Sequence, residues 1–204
     1  MNVTSVNEWI VREYFETLGY LVSQPRKYVV SGKQKKSDEE IDFVVHNPQV
    51  MERRVPDHIV WTTPDLRTVP SAVVGIHGWH TERFYASTFE QSPEILRFAQ
   101  PASIRFAERL LGVSPVARIL CLPKLPASGE LKKKTISMLK DNGIDGVISF
   151  RTMLADLVAG VDTNKNYEKS DLLQILRLLK NYDLIRDDQM EFFGKRKTRA
   201  RPVG

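Results

Sequence analysis

The sequence predicts an α/β fold in which helices flank a mixed sheet. A helix-like segment opens the chain, three strand-like segments follow it, and two further strands then alternate with helices. Consecutive strands without a helix between them favour an antiparallel meander, whereas strands separated by helices favour parallel crossover connections. The expected fold is therefore an α/β sandwich whose sheet is antiparallel at its beginning and crosses over through helices later.

Helices are predicted where apolar residues recur at intervals of three and four. The first covers residues 6–18 and is expected to end at Gly19, because glycine commonly follows the last turn of a helix. The later predicted helices are 93–111, closed by Gly112, then 130–140, 151–158 and 170–182.

Strands are predicted where polar and apolar residues alternate or where short apolar runs occur. The segment 20–30 is expected to form a strand interrupted at Pro25. The segment 40–46 alternates, and the remaining predicted strands are the apolar runs 71–77, 116–122 and 146–150. Residues 49–69 show no regular pattern. A connection of this length often carries function, and beside an active site it would flank the substrate.

The composition is that of a globular protein of one generous domain. The chain has 204 residues, of which 27% are charged and 42% hydrophobic. Its single cysteine, Cys121, excludes an internal disulfide and a cysteine-rich zinc site. No apolar run approaches the ~20 residues of a membrane helix, and the first residues lack the pattern of a signal peptide. We therefore expect a cytoplasmic protein with no membrane partner.

The positive charge of the chain is concentrated at its end. The net charge is +5, and the last ten residues contain five cations and no acid: Lys195, Arg196, Lys197, Arg199 and Arg201. The rest of the chain is therefore neutral. A basic tail of this kind can neutralise nucleic-acid phosphates, although short basic termini often serve only solubility. The predicted organisation is a domain over 1–160, a helical extension over 161–194 and a disordered basic tail over 195–204.

Two neighbouring predicted strands carry the candidate site. Glu40 and Asp42 lie at i and i+2 of a strand and therefore share a face, the other face being apolar. The carboxylates are expected to face outward or into a cleft, and a merely solvated strand face is the simpler interpretation. The next strand ends with polar and aromatic residues, Gly75-Ile76-His77-Gly78-Trp79-His80. A glycine inside a strand marks a bulge or a close approach by another group. A hydrogen-bonded structural histidine beside a core tryptophan is the alternative.

These features resemble the PD-(D/E)XK nuclease superfamily, which includes the archaeal Holliday-junction resolvases. The resemblance covers about residues 5–150. Glu8 lies eleven residues before the Gly19-Tyr20 pair, as a metal-binding glutamate does in the resolvases, and Asp42 falls on the acid of the second strand. The resemblance implies a restriction-endonuclease-like fold and a Mg²⁺- or Mn²⁺-dependent DNA phosphodiesterase, with Glu8 and Asp42 as metal ligands.

The third strand departs from the family pattern of an acid, any residue and a lysine. Gly75 and His77 stand at the positions of the acid and the lysine. In one interpretation Glu8, Glu40 and Asp42 form a three-acid metal site around the hole left by Gly75, with His77 replacing the lysine or binding the metal. In the other, the site is inactive and the fold binds nucleic acid or a protein. The apolar C-terminal helix is expected to pack on the domain or to form a homodimer.

Overall fold

The computed structural model describes residues 6–25, 41–81 and 83–185, in which strands and helices follow the predicted order. The strands are β1 (Leu21–Ser23), β2 (Phe43–His46), β3 (Ser71–Ile76), β4 (Ala117–Leu122) and β5 (Gly146–Ser149). The α-helices are α1 (Val6–Thr17), α2 (Ala86–Gln91), α3 (Pro101–Leu111), α4 (Gly129–Asp141), α5 (Phe150–Gly160) and α6 (Asp171–Asn181). Two 3₁₀ helices cover Thr63–Thr68 and Pro93–Ala99.

The five strands form one sheet in chain order. β1, β2 and β3 pair antiparallel, whereas β3, β4 and β5 pair parallel. The parallel pairs require crossovers, which α3 and α4 provide together with shorter helices. The predicted α/β fold, with an antiparallel meander followed by helical crossovers, is confirmed.

Strand β2 is buried on both of its faces, so its acidic side is not the solvated face that the alternation suggested. Phe43 and Val45 are fully buried on one face. Val44, on the other face, is also fully buried and belongs to the same hydrophobic cluster as Val73 and Phe98. The predicted strand 40–46 is shorter than expected, because β2 begins only after Asp42.

The predicted helix 93–111 is two helices. The segment Pro93–Ala99 is a 3₁₀ helix, and α3 begins at Pro101 after the extended residue Gln100. Proline has no N–H to continue a helix and disfavours helical geometry at the residue before it, so it starts a new helix. Gly112 ends α3 in the left-handed conformation, as predicted. The short helix α2, which buries only two side chains, was not predicted.

Part of the segment 49–69 contributes to the edge of the sheet formed by β5. Trp61 N–H donates to the Val147 carbonyl, and Val147 N–H donates to the carbonyl of Ile59. Residues 59–61 therefore lie beyond β5, at the opposite side of the sheet from β2. Trp61 is fully buried there.

The chain divides into two compact units, one ending at Asp156 and the other beginning at Leu157. In the second unit, Ser170 caps the first turn of α6 by accepting the N–H of Leu173. Lys180 donates from its ammonium group to the carbonyls of Val158 and Val161. Across the described residues, none of the helices combines the length and the apolar character that crossing a bilayer requires.

Candidate active site at the carboxyl end of strand β3

Asp42 lies where β2 begins, beside the carboxyl end of the antiparallel strand β3. Its Oδ2 atom accepts the backbone N–H of Ile76 at 2.7 Å. A charged acceptor strengthens such a bond and fixes the direction of the carboxyl group. The hydrogen bond therefore fixes the Asp42 side chain against the last residue of β3.

Glu8 reaches the same region from the first turn of α1. The amide Nε2 of Gln24 donates to its Oε2 at 3.3 Å. The negative charge of Glu8 acts on the carboxyl of Asp42 and raises its pKa. The two carboxylates that the family resemblance assigned to metal binding are therefore close enough to interact electrostatically.

The pKa of Asp42 is raised from its ordinary value of 3.8 to about 6. Burial is the largest cause, the Ile76 hydrogen bond partly offsets it, and the Glu8 charge adds to it. Burial and a nearby like charge both disfavour the ionised form of an acid. Carboxyl groups perturbed in this way are concentrated at functional sites, although structural networks also produce them.

The space beside Gly75 is filled, which overturns the expected hole. A Cβ atom on Gly75 would lie 2.4 Å from the Phe98 ring, which belongs to the 3₁₀ helix Pro93–Ala99. Glycine stands here because the aromatic ring packs against the strand backbone. The part of the prediction that needs an empty space at Gly75 is therefore wrong. Sequence reasoning missed Phe98 because it lies 23 residues further along the chain and no local pattern links the two positions.

His77 is held by the backbone on the side of the 3₁₀ helix. Its N–H donates to the Cys121 carbonyl at 3.0 Å, and its side chain is hydrogen-bonded to the backbone of Ile95. Burial lowers the pKa of His77, despite the opposing effects of Ile95 and Glu94, so the ring is neutral at pH 7. His77 is not among the described groups that shift the pKa of Asp42. A neutral, backbone-bonded imidazole does not supply the positive charge of a lysine.

Asn7 joins the start of α1 to the loop after β3. Its side chain occupies the position that a Cβ on Gly78 would take, and its Oδ1 lies 2.7 Å from Nε2 of His80. The ring of His80 also meets Phe150 edge-on, with 4.8 Å between the ring centroids. These contacts hold the first turn of α1, and hence Glu8, against the end of β3. Sequence reasoning missed Asn7, and its position next to Glu8 was the only available signal.

Glu8 and Asp42 offer oxygen ligands of the kind that Mg²⁺ and Mn²⁺ prefer. A divalent cation would also relieve the repulsion that raises the pKa of Asp42, so the two residues fit such an ion. Within the described residues, no group of three or more histidine, cysteine, aspartate or glutamate side chains is arranged to hold a metal. Glu40, the third expected acid, lies outside the described residues, as do the five cations of the tail.

Comparison with known proteins identified no relative. No protein-family model matches the chain, and no significant match was found among curated proteins or solved structures.

Proposed function

We propose that the chain is a metal-dependent DNA phosphodiesterase of the PD-(D/E)XK type, with an altered active site. The observation that carries this proposal is the Glu8–Asp42 pair at the carboxyl end of β3. The pair comes from the first helix and the second strand, which are the elements that hold the metal-binding acids in the family that the sequence resembles. The order of helices and strands and the mixed sheet support a restriction-endonuclease-like fold.

In the proposed site, Glu8 and Asp42 bind one Mg²⁺ or Mn²⁺ ion, and Glu40 is the third acid. Held there, such an ion would supply activation of a water molecule and stabilisation of the negative charge on the phosphate oxygens. Ile76 N–H orients the Asp42 carboxylate toward this role. Gln24 orients Glu8 by donating to its carboxylate. Neither His77 nor the Gly75 position takes part in the chemistry.

The alternative is a catalytically inactive nuclease fold that binds nucleic acid or a protein partner. The packing of Phe98 against Gly75 favours it, because an aromatic ring occupies the place of the third-strand acid. The lowered pKa of the partly buried His77 favours it as well, because the lysine of that strand then has no charged replacement there.

A cleavage and binding assay on single-stranded, duplex and four-way-junction DNA tests both proposals. Each DNA is incubated with Mg²⁺, Mn²⁺ or EDTA, and cut and shifted bands are scored for the wild type and for Asp42→Asn. The matched control is Asp145→Asn. Asp145 also precedes a strand, also accepts a backbone N–H (from Arg118, at 2.8 Å) and also has a pKa raised by burial. Its charged neighbour, however, is the Arg118 cation.

We expect metal-dependent cutting that falls on the order of 100-fold or more in Asp42→Asn and is retained in Asp145→Asn. Loss of a residue that merely supports a metal ligand typically costs 10–100-fold, so loss of the ligand itself costs at least as much. Mn²⁺ alone should also raise the melting temperature of the wild type and not that of Asp42→Asn. Band shifts without cutting would establish the nucleic-acid-binding alternative. The absence of both would exclude the phosphodiesterase and DNA binding, and would leave the alternative in its protein-binding form.

A further inference from the structure

Trp79 is an exposed aromatic ring held in a fixed position. It is 44% exposed, whereas Phe84, on which it stacks, is fully buried. The two rings are 5.8 Å apart between centroids and inclined by 21°. The His77 ring meets Trp79 edge-on at 6.3 Å. An exposed ring that is already immobilised loses little conformational entropy when a ligand binds to it.

Two exposed basic residues adjoin Phe84, one preceding it in the chain and the other accepting its backbone N–H. The Phe84 N–H donates to the Lys124 carbonyl at 3.0 Å, and the guanidinium of Arg83 donates to the carbonyl of Leu125 at 3.2 Å. These bonds place the backbone of residues 83–84 beside that of residues 124–125. Arg83 and Lys124 are both exposed.

This group of residues lies at the same end of the sheet as the proposed metal ligands. Trp79 follows the end of β3 by three residues, and Lys124 follows the end of the parallel strand β4 by two. Gly78, next to Trp79, packs against Asn7, which precedes Glu8 in the chain. Ligands of α/β sheets typically bind outside the carboxyl ends of the strands.

We propose that Trp79 is a stacking platform for an unpaired nucleobase and that Arg83 and Lys124 contact the adjoining phosphates. Every base has a flat π face and is flanked by phosphates, which matches an exposed indole whose stacking partner, Phe84, adjoins two exposed basic residues. In a duplex the base faces are covered by their neighbours, so the platform selects single-stranded segments. This inference rests on the proposed function and names the substrate class of the same site: DNA with unpaired bases.

Binding measured in EDTA tests the platform without cleavage. The probes are a labelled oligothymidine of about 15 nucleotides, comparable to known single-strand site sizes, and a duplex of the same length. Trp79→Ala should weaken binding to the single strand by roughly 10-fold and leave binding to the duplex unchanged. Trp79→Phe, which keeps a flat ring, should stay within about threefold of the wild type. The control is Tyr182→Ala, which removes an aromatic side chain that is 74% exposed in the C-terminal unit.

Tryptophan fluorescence provides a measurement that does not depend on the folding of the alanine variant. Of the three tryptophans, Trp61 is fully buried, Trp9 is partly exposed and Trp79 is 44% exposed. Oligothymidine should quench the emission of the wild type, and Trp79→Phe should remove the Trp79 part of this quenching while keeping its affinity; quenching as large as that of the wild type would place the base at Trp9 and overturn the platform. Combined Arg83→Gln and Lys124→Gln should reduce the slope of log affinity against log salt by ~1.4 for the single strand.

The two proposals fail in different ways. If metal-dependent cutting is found but Trp79→Ala binds the single strand as tightly as the wild type does, the platform is wrong and the phosphodiesterase stands. Equal losses for single strand and duplex in Trp79→Ala also exclude the platform. If Trp79 is found to stack on single-stranded DNA but no metal supports cutting, the platform is retained as part of a nucleic-acid-binding module and the phosphodiesterase is excluded.

Discussion

Two aspartates, Asp42 and Asp145, have the same backbone arrangement but neighbours of opposite charge. Asp42 and Asp145 each precede a strand and each accept a backbone N–H from the neighbouring strand. Asp145 lies beside the Arg118 cation, which lowers its pKa against the effect of burial. Asp42 lies beside the Glu8 anion, which raises its pKa further. Of these two carboxyls, only that of Asp42 has a like charge beside it. Stability alone does not favour such an arrangement, which is why the proposed site is placed at Asp42.

The raised pKa of Asp42 predicts that stability falls as the pH rises. The unfolded carboxyl loses its proton near pH 3.8, whereas the folded one keeps it until about pH 6. Between these values the folded state binds more protons, so the free energy of unfolding decreases with increasing pH. The two pKa values correspond to at most ~3 kcal/mol, and residual solvent exposure reduces the expected loss to about 1–2 kcal/mol.

Urea unfolding in EDTA from pH 4 to pH 8 measures this loss directly. Asp42→Asn, whose amide oxygen still accepts the Ile76 N–H, should show a smaller decrease than the wild type and be more stable than it at pH 8. Asp57→Asn is the control, because the Asp57 side chain is 95% exposed. Parallel curves for the wild type and Asp42→Asn would show that the Asp42 carboxyl is not desolvated in the folded protein.

At the scale of elements, the 3₁₀ helix Pro93–Ala99 packs against β3 and leaves no room for a side chain at Gly75. Gly75→Ala should destabilise the fold by about 1–3 kcal/mol, because the new Cβ would lie 2.4 Å from the buried Phe98 ring. In a Phe98→Ala background the same change should cost much less, since the obstructing ring is gone. Thermal or urea unfolding of the single and double variants measures this coupling.

Gly129→Ala is the matched control for this cycle. Gly129 begins α4, and a Cβ there would have no neighbour within 4 Å. Alanine is also the better helix former, so the control should be neutral or slightly stabilising. Additive effects of Gly75→Ala and Phe98→Ala would mean that the ring does not fill the Gly75 position.

Periodicity predicted helices and strands whose apolar pattern is local. It failed where the environment of a residue depends on residues distant in the sequence. The stripe of α1 buries Ile10, Val11, Tyr14 and Phe15, as three- and four-residue spacing indicated. The break at Pro101 was overlooked, although proline is a local signal. The filling of the Gly75 position was inaccessible, because alternation along β3 says nothing about a ring brought in by a later helix. The Glu8–Asp42 pair was reached through a family resemblance, since neither residue by itself differs from a surface acid.

At the scale of the whole molecule, the residues that would attract a polyanion are different from those of the proposed active site. Outside the last ten residues the chain has no net charge, and the proposed site itself holds two carboxylates. Long-range attraction of a polyanion must therefore come from the five cations of residues 195–204, aided locally by exposed cations such as Arg83 and Lys124.

Deleting residues 195–204 should consequently weaken duplex binding and flatten its salt dependence, without removing the chemistry. Five cations that each neutralise one phosphate contribute up to ~4.5 to the slope of log affinity against log salt. Cutting at low salt and saturating protein should persist in the deletion variant, whereas Asp42→Asn should keep the wild-type slope and lose cutting. An unchanged slope after deletion would show that the tail serves solubility and that the folded part alone binds the DNA.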